Sequence, residues 1–410
     1  MKMRGASGFT IVELMIVMAI TLFVLTAATQ VMISLIMQFR QQTKIAESSV
    51  ESLIGLEVLR VDLKTAGYGL PWEIPAALTY NDFDLNTVEA GIDTGNTARD
   101  NAPTAPQAFV ILDGKGPNGS DVFVVKSLLT ASAPSAAGIY NSAGNWHSVI
   151  LDEDSNQVVN VWEGGGPVDE NLLNTDKVIV LSLVEDIELI ADSSNNWYTT
   201  FQTIAAGGSE FAPTSRTSLY LVMGLSDNTN PDFPFNRSVY YIDDSDVPSR
   251  CAGGTGVLVK RLYNHATNTL DAPLPLLDCV ADMQVVVGLD MPEAGSGVPD
   301  GDFEPGTPDA YENAIDAAPT AEIVRTRLAE IRIYILAQEG QIDRNYTFSD
   351  PVTPDTNADD DKKVPVGEFS LGHTGANEFN IEGNITDGLN YRWRIHKVVE
   401  VPSSLRGSVQ

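Results

Sequence analysis

The sequence predicts an α+β protein: one long N-terminal helix, apolar in its first half and amphipathic in its second, packed on a β-rich domain with long acidic loops. Three observations predict it. From Phe9 to Phe39 the only ionisable side chain is Glu13, and the run exceeds the roughly 20 residues that span a bilayer. No Gly lies between Gly8 and Gly55 and no Pro before Pro71, so a helix can continue to about Ala66, a rod of about 87 Å at 1.5 Å per residue. Beyond residue 70 the apolar residues fall in short β-branched and aromatic blocks that stop at Gly, Asn, Asp or Pro, which is the pattern of strands.

The chain opens on a short leader with Lys2 and Arg4, followed by Gly8-Phe9-Thr10-Ile11-Val12-Glu13-Leu14. A lone carboxylate inside such a run is costly in hydrocarbon, so it is expected to be paired and functional. An ordinary secretory signal has an apolar core of roughly 7–15 residues with a small-residue cleavage site after it. Here the run is about 30 residues and the small residue precedes it. These residues resemble the type IV prepilin (class III) signal. The resemblance implies cleavage between Gly8 and Phe9 by a prepilin peptidase, methylation of the new terminus at Phe9, and a role for Glu13 in assembly. Lys2 and Arg4 hold the leader on the cytoplasmic side. Removal of the leader leaves 410 − 8 = 402 residues. Major pilins often carry a Pro and a Gly in the membrane half of this helix. This chain has neither there, so local melting of that half is not expected.

After Phe39 two apolar stripes run along the helix. One reads Ile45, Ser49, Ser52, Leu56, Leu59, Leu63, Ala66; the other, nearly opposite, reads Val50, Ile54, Val61, with Val58 at its edge. An ordinary surface helix has one stripe, so two predict two packing partners: this protein's own sheet and a neighbouring subunit, a loop of the same domain over the second stripe being the alternative. Charges fall between the stripes, Lys44, Glu51 and Asp62 on one flank and Glu57, Arg60 and Lys64 on the other. Gly67-Tyr68-Gly69-Leu70-Pro71 supplies the helix stop. The stretch 59–68 also resembles the helix end of PilW-type minor pilins and, more distantly, the J-type pseudopilin of type II secretion.

Strands are expected at 122–129, 147–151, 158–163, 177–183, 187–191, 218–225, 238–242, 256–262, 280–289, 331–336, 368–371 and 391–401. A short helix is expected at 320–327. Residues 330–335 alternate Glu330, Arg332, Tyr334 with Ile331, Ile333, Ile335, which predicts a half-solvated strand. The expected division is a leader at 1–8, a transmembrane half-helix at 9–39, an amphipathic half-helix at 40–69 and a β-rich domain at 70–410, divisible near 209–216.

The formal net charge is −30, from 55 acids against 25 bases. Such a surface repels nucleic acid and anionic headgroups. Cys251 and Cys279 are the two cysteines. In an oxidising compartment they are expected to form a disulfide, buried free thiols being the alternative. Catalytic motifs such as HExxH, GxSxG and GxxxxGK[ST] are absent from the sequence, and the four histidines show no ligand spacing. No enzyme is expected. Asp152, Asp154, Asn156 and Glu163 match positions 1, 3, 5 and 12 of a calcium loop, but Gln157 stands where that loop needs Gly. Calcium is the only cofactor the spacing would admit, and a polar hairpin turn is the competing reading.

The resemblance implies a minor pilin: a low-copy, filament-initiating subunit stored in the inner membrane through residues 9–39, with its domain in the periplasm until it enters a surface filament. The implied partners are other minor and major pilins, the prepilin peptidase and the inner-membrane assembly platform. A type II secretion pseudopilin and a pilus-tip adhesin are the alternatives.

Overall fold

The computed structural model describes residues 10–80, 82, 105–130, 143–160, 172–184, 186–207, 209–226, 229–289, 310–312, 321–349, 362–367 and 377–403. Helix α1 spans Ile11–Thr65. Its side chains from Ile11 to Phe39 are all exposed. Within that stretch Thr21, Thr26 and Thr29 turn their hydroxyls back onto the carbonyls of Val17, Leu22 and Leu25 at 2.7–2.8 Å. Each polar group is thereby satisfied inside the helix, as a hydrocarbon environment demands. Ala66 caps the other end by donating to the Leu63 carbonyl, and Gly67 and Gly69 take the left-handed turn at φ 81° and 73°. A side chain would be strained at both.

Strands β1 (Phe109–Leu112) and β2 (Val122–Ser127) come next. There follow β3 (Trp146–Leu151), β4 (Gln157–Asn160), β5 (Lys177–Ser182), β6 (Glu188–Leu189), β7 (Thr199–Thr200), helix α2 (Phe201–Ala205) and β8 (Tyr220–Ser226). The chain continues through β9 (Asn236–Asp243), β10 (Gly256–Asn264), β11 (Thr269–Leu270), β12 (Leu274–Leu289) and β13 (Ala310–Glu312). Helix α3 (Ala321–Arg327), β14 (Leu328–Glu339), β15 (Lys363–Val366), β16 (Asn377–Asn380), α4 (Ile381–Asn384) and β17 (Arg392–Glu400) complete it.

The main sheet has the order β1-β2-β9-β10-β12-β14-β17, with β11 beside β10 and β13 beside β12. A second sheet, β4-β3-β8-β5-β6 with β7 beside β5, is built from the chain between β2 and β9. β15 and β16 pair with each other. One face of the main sheet, with Met283, Val285, Val287, Ile331, Ile333 and Ile335, packs in a common core with Leu56, Leu59 and Leu63 of α1. The alternate residues Val286, Tyr334 and Leu336 share a second core with Phe348, Val364, Val366, Phe379 and Ile381. β14 is therefore covered on both sides, and the half-solvated reading of 330–335 is corrected: Glu330, Arg332 and Tyr334 are buried. Glu330 and Arg332 pair with each other, which is what permits two charges there. Another buried charge cluster joins Asp82 to Lys126 (2.6 Å) and Arg237 (2.9 Å). The expected strand at 368–371 lies outside the described residues.

The turn between β1 and β2 is tied to β12 through Asp121. Its carboxylate accepts from the backbone N–H of Gly114 (2.9 Å) and Val285 (2.7 Å), and its own N–H donates to the Met283 carbonyl. Burial pushes this carboxyl up to about 8, against the pull of the two N–H donors and aided by the charges of Asp113 and Asp282. Burial likewise pushes Asp282 up to about 6. An acid whose folded value is raised contributes stability in full below its unfolded value, near 4, and loses that contribution as pH climbs through the folded value. Thermal unfolding of the full chain in micelles should therefore show a melting temperature that falls between about pH 4 and pH 8. Asp282→Asn, which keeps an acceptor for Gln284, should flatten the lower part of that slope. A flat profile in the unsubstituted chain would contradict the assignment.

Candidate functional site

The membrane end of α1 begins with a reciprocal cap. Thr10 is the N-cap, and its Oγ1 accepts from the Glu13 N–H at 3.3 Å. The Thr10 N–H and hydroxyl both donate to Glu13 Oε2 at 3.2 Å. Sequence dictates this arrangement: Thr and Glu three residues apart ahead of an apolar run form a capping box. The negative carboxylate also lies at the positive end of the helix dipole.

The other half of α1 is seated on the sheet by three kinds of contact. Gly55 meets the backbone of β12: a Cβ placed there would lie 1.8 Å from the Leu276 carbonyl oxygen. Asp62, about two turns further on, is buried. Its Oδ2 pairs with Lys260 Nζ at 2.6 Å and accepts from Tyr240 Oη at 2.6 Å and Ser238 Oγ at 3.2 Å. Burial, then the Asp62 charge, push the Tyr240 phenol well above its ordinary value, so it remains an O–H donor. At the C-terminal end of the described chain, Arg60 pairs with Glu400 at 2.8 Å, and the Ser403 N–H and hydroxyl both donate to the Lys64 carbonyl at 3.0 Å.

The two stripes separate here. Leu56, Leu59, Leu63 and Ala66 are buried under the sheet. Leu53 and Ile54 remain 71% and 67% exposed, and Val61 51%. With Val58, Leu129, Leu262 and Leu274 they line an apolar groove of about 1210 Å³ alongside α1, with Asp62 and Lys260 also in its lining.

Cys251 and Cys279 form a disulfide, 28 residues apart. It joins the segment before β10 to β12, and closing a loop of that size limits the unfolded chain by about 3–4 kcal/mol. Gly8, Phe9 and Glu163 lie outside the described residues. Asp152 sits in the turn between β3 and β4. Its Oδ1 accepts from the N–H of Asp154 (2.9 Å) and Asn156 (2.7 Å), and its Oδ2 from Asn156 Nδ2 (3.1 Å). The same five-residue turn recurs at Asp192, closed by Ser194 and Asn196. This local hydrogen bonding accounts for Asp152 and Asn156 without an ion. Among the described residues no three His, Cys, Asp or Glu side chains are grouped to hold a metal.

Sequence reasoning places Asp62, which is buried, among the charges between the stripes and assigns it no role. It also passed over Gly55. The Gly carried a usable signal, because it is the one glycine within α1. Asp62 carried none, since nothing local distinguishes it from Glu57 or Glu51.

Comparison with known proteins adds one match. Residues 3–29 match the family described as the prokaryotic N-terminal methylation motif. No curated protein matches the chain, and no solved structure matches it. The match covers part of the leader and the membrane half of α1, and the protein is to that extent type IV prepilin-like.

Proposed function

We propose that the chain is a minor pilin, a low-copy structural subunit of a type IV pilus that assembles through α1 after the leader is removed at Gly8–Phe9. One observation supports this reading above the others. The domain uses one stripe of α1 for its own core and leaves Ile54 and Val61 of the second, with Leu53 beside them, exposed along an apolar groove. Contiguous exposed apolar surface of this kind marks an interaction site, and a groove running along a helix suits another helix. Glu13 would neutralise the amino terminus of an adjacent subunit, since a charge pair costs far less in hydrocarbon than two lone charges. A domain this large is awkward as the repeating unit of a thin filament, which favours a place near the tip. The acidic domain faces the periplasm during storage, and the disulfide suits that oxidising compartment.

Two measurements test this. Mass spectrometry of the mature chain should begin at methylated Phe9; an intact Met1 terminus in a peptidase-competent host would end the prepilin reading. Ile54→Asp should leave processing and the disulfide-bonded fold unchanged but lower recovery in sheared filaments by about tenfold or more, because each 1.4 kcal/mol of lost docking is a factor of ten. Equal recovery would remove the groove from assembly. The subunits that co-purify with the tagged chain assign it to a pilus or to a type II secretion pseudopilus.

A further inference from the structure

We infer that Asn345 and Asn384 are acceptors for an N-linked glycan, attached by an oligosaccharyl transferase of the host from a lipid-pyrophosphate-linked donor. The inference rests on the export of the domain in the reading above. Four Asn-x-Ser/Thr tripeptides occur in the chain, at Asn118, Asn236, Asn345 and Asn384, none with Pro in the middle. That tripeptide is the acceptor signal of exported proteins. The fold divides the four into two kinds. Asn118 gives its amide to the carbonyls of Gly254 and Ala281, and Asn236 to those of Leu128 and Leu225. The hydroxyls that follow them, on Ser120 and Ser238, are inaccessible. Asn345 with Thr347, and Asn384 with Thr386, are exposed. Among the described residues none of these four side chains makes a hydrogen bond. Asn345 stands in a tight turn, closed by the Tyr346 N–H on the Asp343 carbonyl at 2.9 Å, and Asn384 is the last residue of α4. The exposed asparagines differ from the buried ones in one more respect. An acid lies two residues before each, Asp343 and Glu382, where the buried ones have Gly116 and Pro234. A carboxylate there offers a charged handle to a basic side chain of the transferase. Asp343 and Glu382 are paired with Arg392 at 3.3 Å and Lys362 at 2.5 Å, but outer pairs of this kind contribute little. Both segments are anchored in the second core, through Tyr346, Phe348, Ile381 and Ile385, on the sheet face away from Leu59 and Leu63. A glycan there leaves the groove beside α1 open.

The transfer joins the side-chain nitrogen of the asparagine to the anomeric carbon of the glycan. The bond from that carbon to the pyrophosphate oxygen breaks, the lipid pyrophosphate leaves with its electron pair, and one amide proton passes to solvent. The hydroxyl two residues on must be free to be held by the enzyme, so the exposure of Thr347 and Thr386 matters as much as that of the asparagines. Peptide mass spectrometry of the full chain, recovered from the membranes of its own host, tests this. Peptides with Asn345 and Asn384 should carry added sugar masses, and those with Asn118 and Asn236 should be bare. Thr347→Val keeps the shape of the side chain, removes the hydroxyl, and should lose the sugar on Asn345 while Asn384 keeps its own. Thr347→Ser should retain both. Bare asparagines at both positions, in a chain that begins at methylated Phe9, overturn this inference and leave the pilin reading standing. Bare asparagines with an intact Met1 terminus overturn both. One bare position removes that asparagine as an acceptor. Sugar that persists on Asn345 in Thr347→Val, or that appears on Asn236, overturns the inference as well.

Discussion

Asp62→Ala is expected to lower the unfolding free energy by about 3–5 kcal/mol, the usual cost of breaking a buried ion pair from one side. Lys260 would be left in place, nearly inaccessible, with its amine 6.0 Å from the Tyr240 ring. The Tyr240 and Ser238 hydroxyls would lose their acceptor in the same step. Denaturant titration of the full chain in micelles, followed by tryptophan fluorescence, measures this. The double substitution Asp62→Ala with Lys260→Met should recover most of the loss, because replacing a whole buried pair by apolar groups is nearly neutral. A single-site cost below about 1 kcal/mol would place the pair in solvent.

Gly55→Ala is expected to destabilise by about 2 kcal/mol or more, although alanine is the better helix former by about 1 kcal/mol. The added methyl would meet the Leu276 carbonyl oxygen, carbon and Cα at 1.8, 2.6 and 3.0 Å. Those are backbone atoms of a central strand, so the helix must lift away. Lifting it separates Leu56 and Leu59 from the sheet. Faster amide exchange along β12 should accompany the drop in stability. A stabilised Gly55→Ala chain would show that propensity wins and that α1 is not seated there.

The two substitutions mark where local pattern stopped being informative. The extent of α1, its stop at Gly67, the buried stripe through Leu59 and Leu63, and most strands were legible, because each depends on neighbours a few residues apart. The short helix expected at 320–327 is α3. The strand expected at 280–289 begins instead at Leu274, and β1 is not among the expected strands. What α1 and the strands do with their charges was not legible. Asp62 meets residues 176–198 positions away, and the coverage of Glu330 and Arg332 comes from segments brought in by the fold. Of the candidate site, the Thr10–Glu13 cap follows from a spacing of three. The groove required knowing which stripe the domain would use. Cysteine count predicted the disulfide, since only one pairing exists.

The attachments of α1 also have a mechanical meaning. A pull on the membrane half meets the packing of Gly55 and Leu56 against the sheet and then, over five residues, the polar contacts of Arg60 with Glu400, Asp62 with Lys260 and Tyr240, and Lys64 with Ser403. Those contacts reach β9, β10, β17 and, at Ser403, the segment just after β17, and so fall on both sides of β12 and β14 in the sheet. Tension on α1 is thereby divided between strands on both sides of β12 and β14, with β17 at the edge of the sheet and β9 and β10 within it.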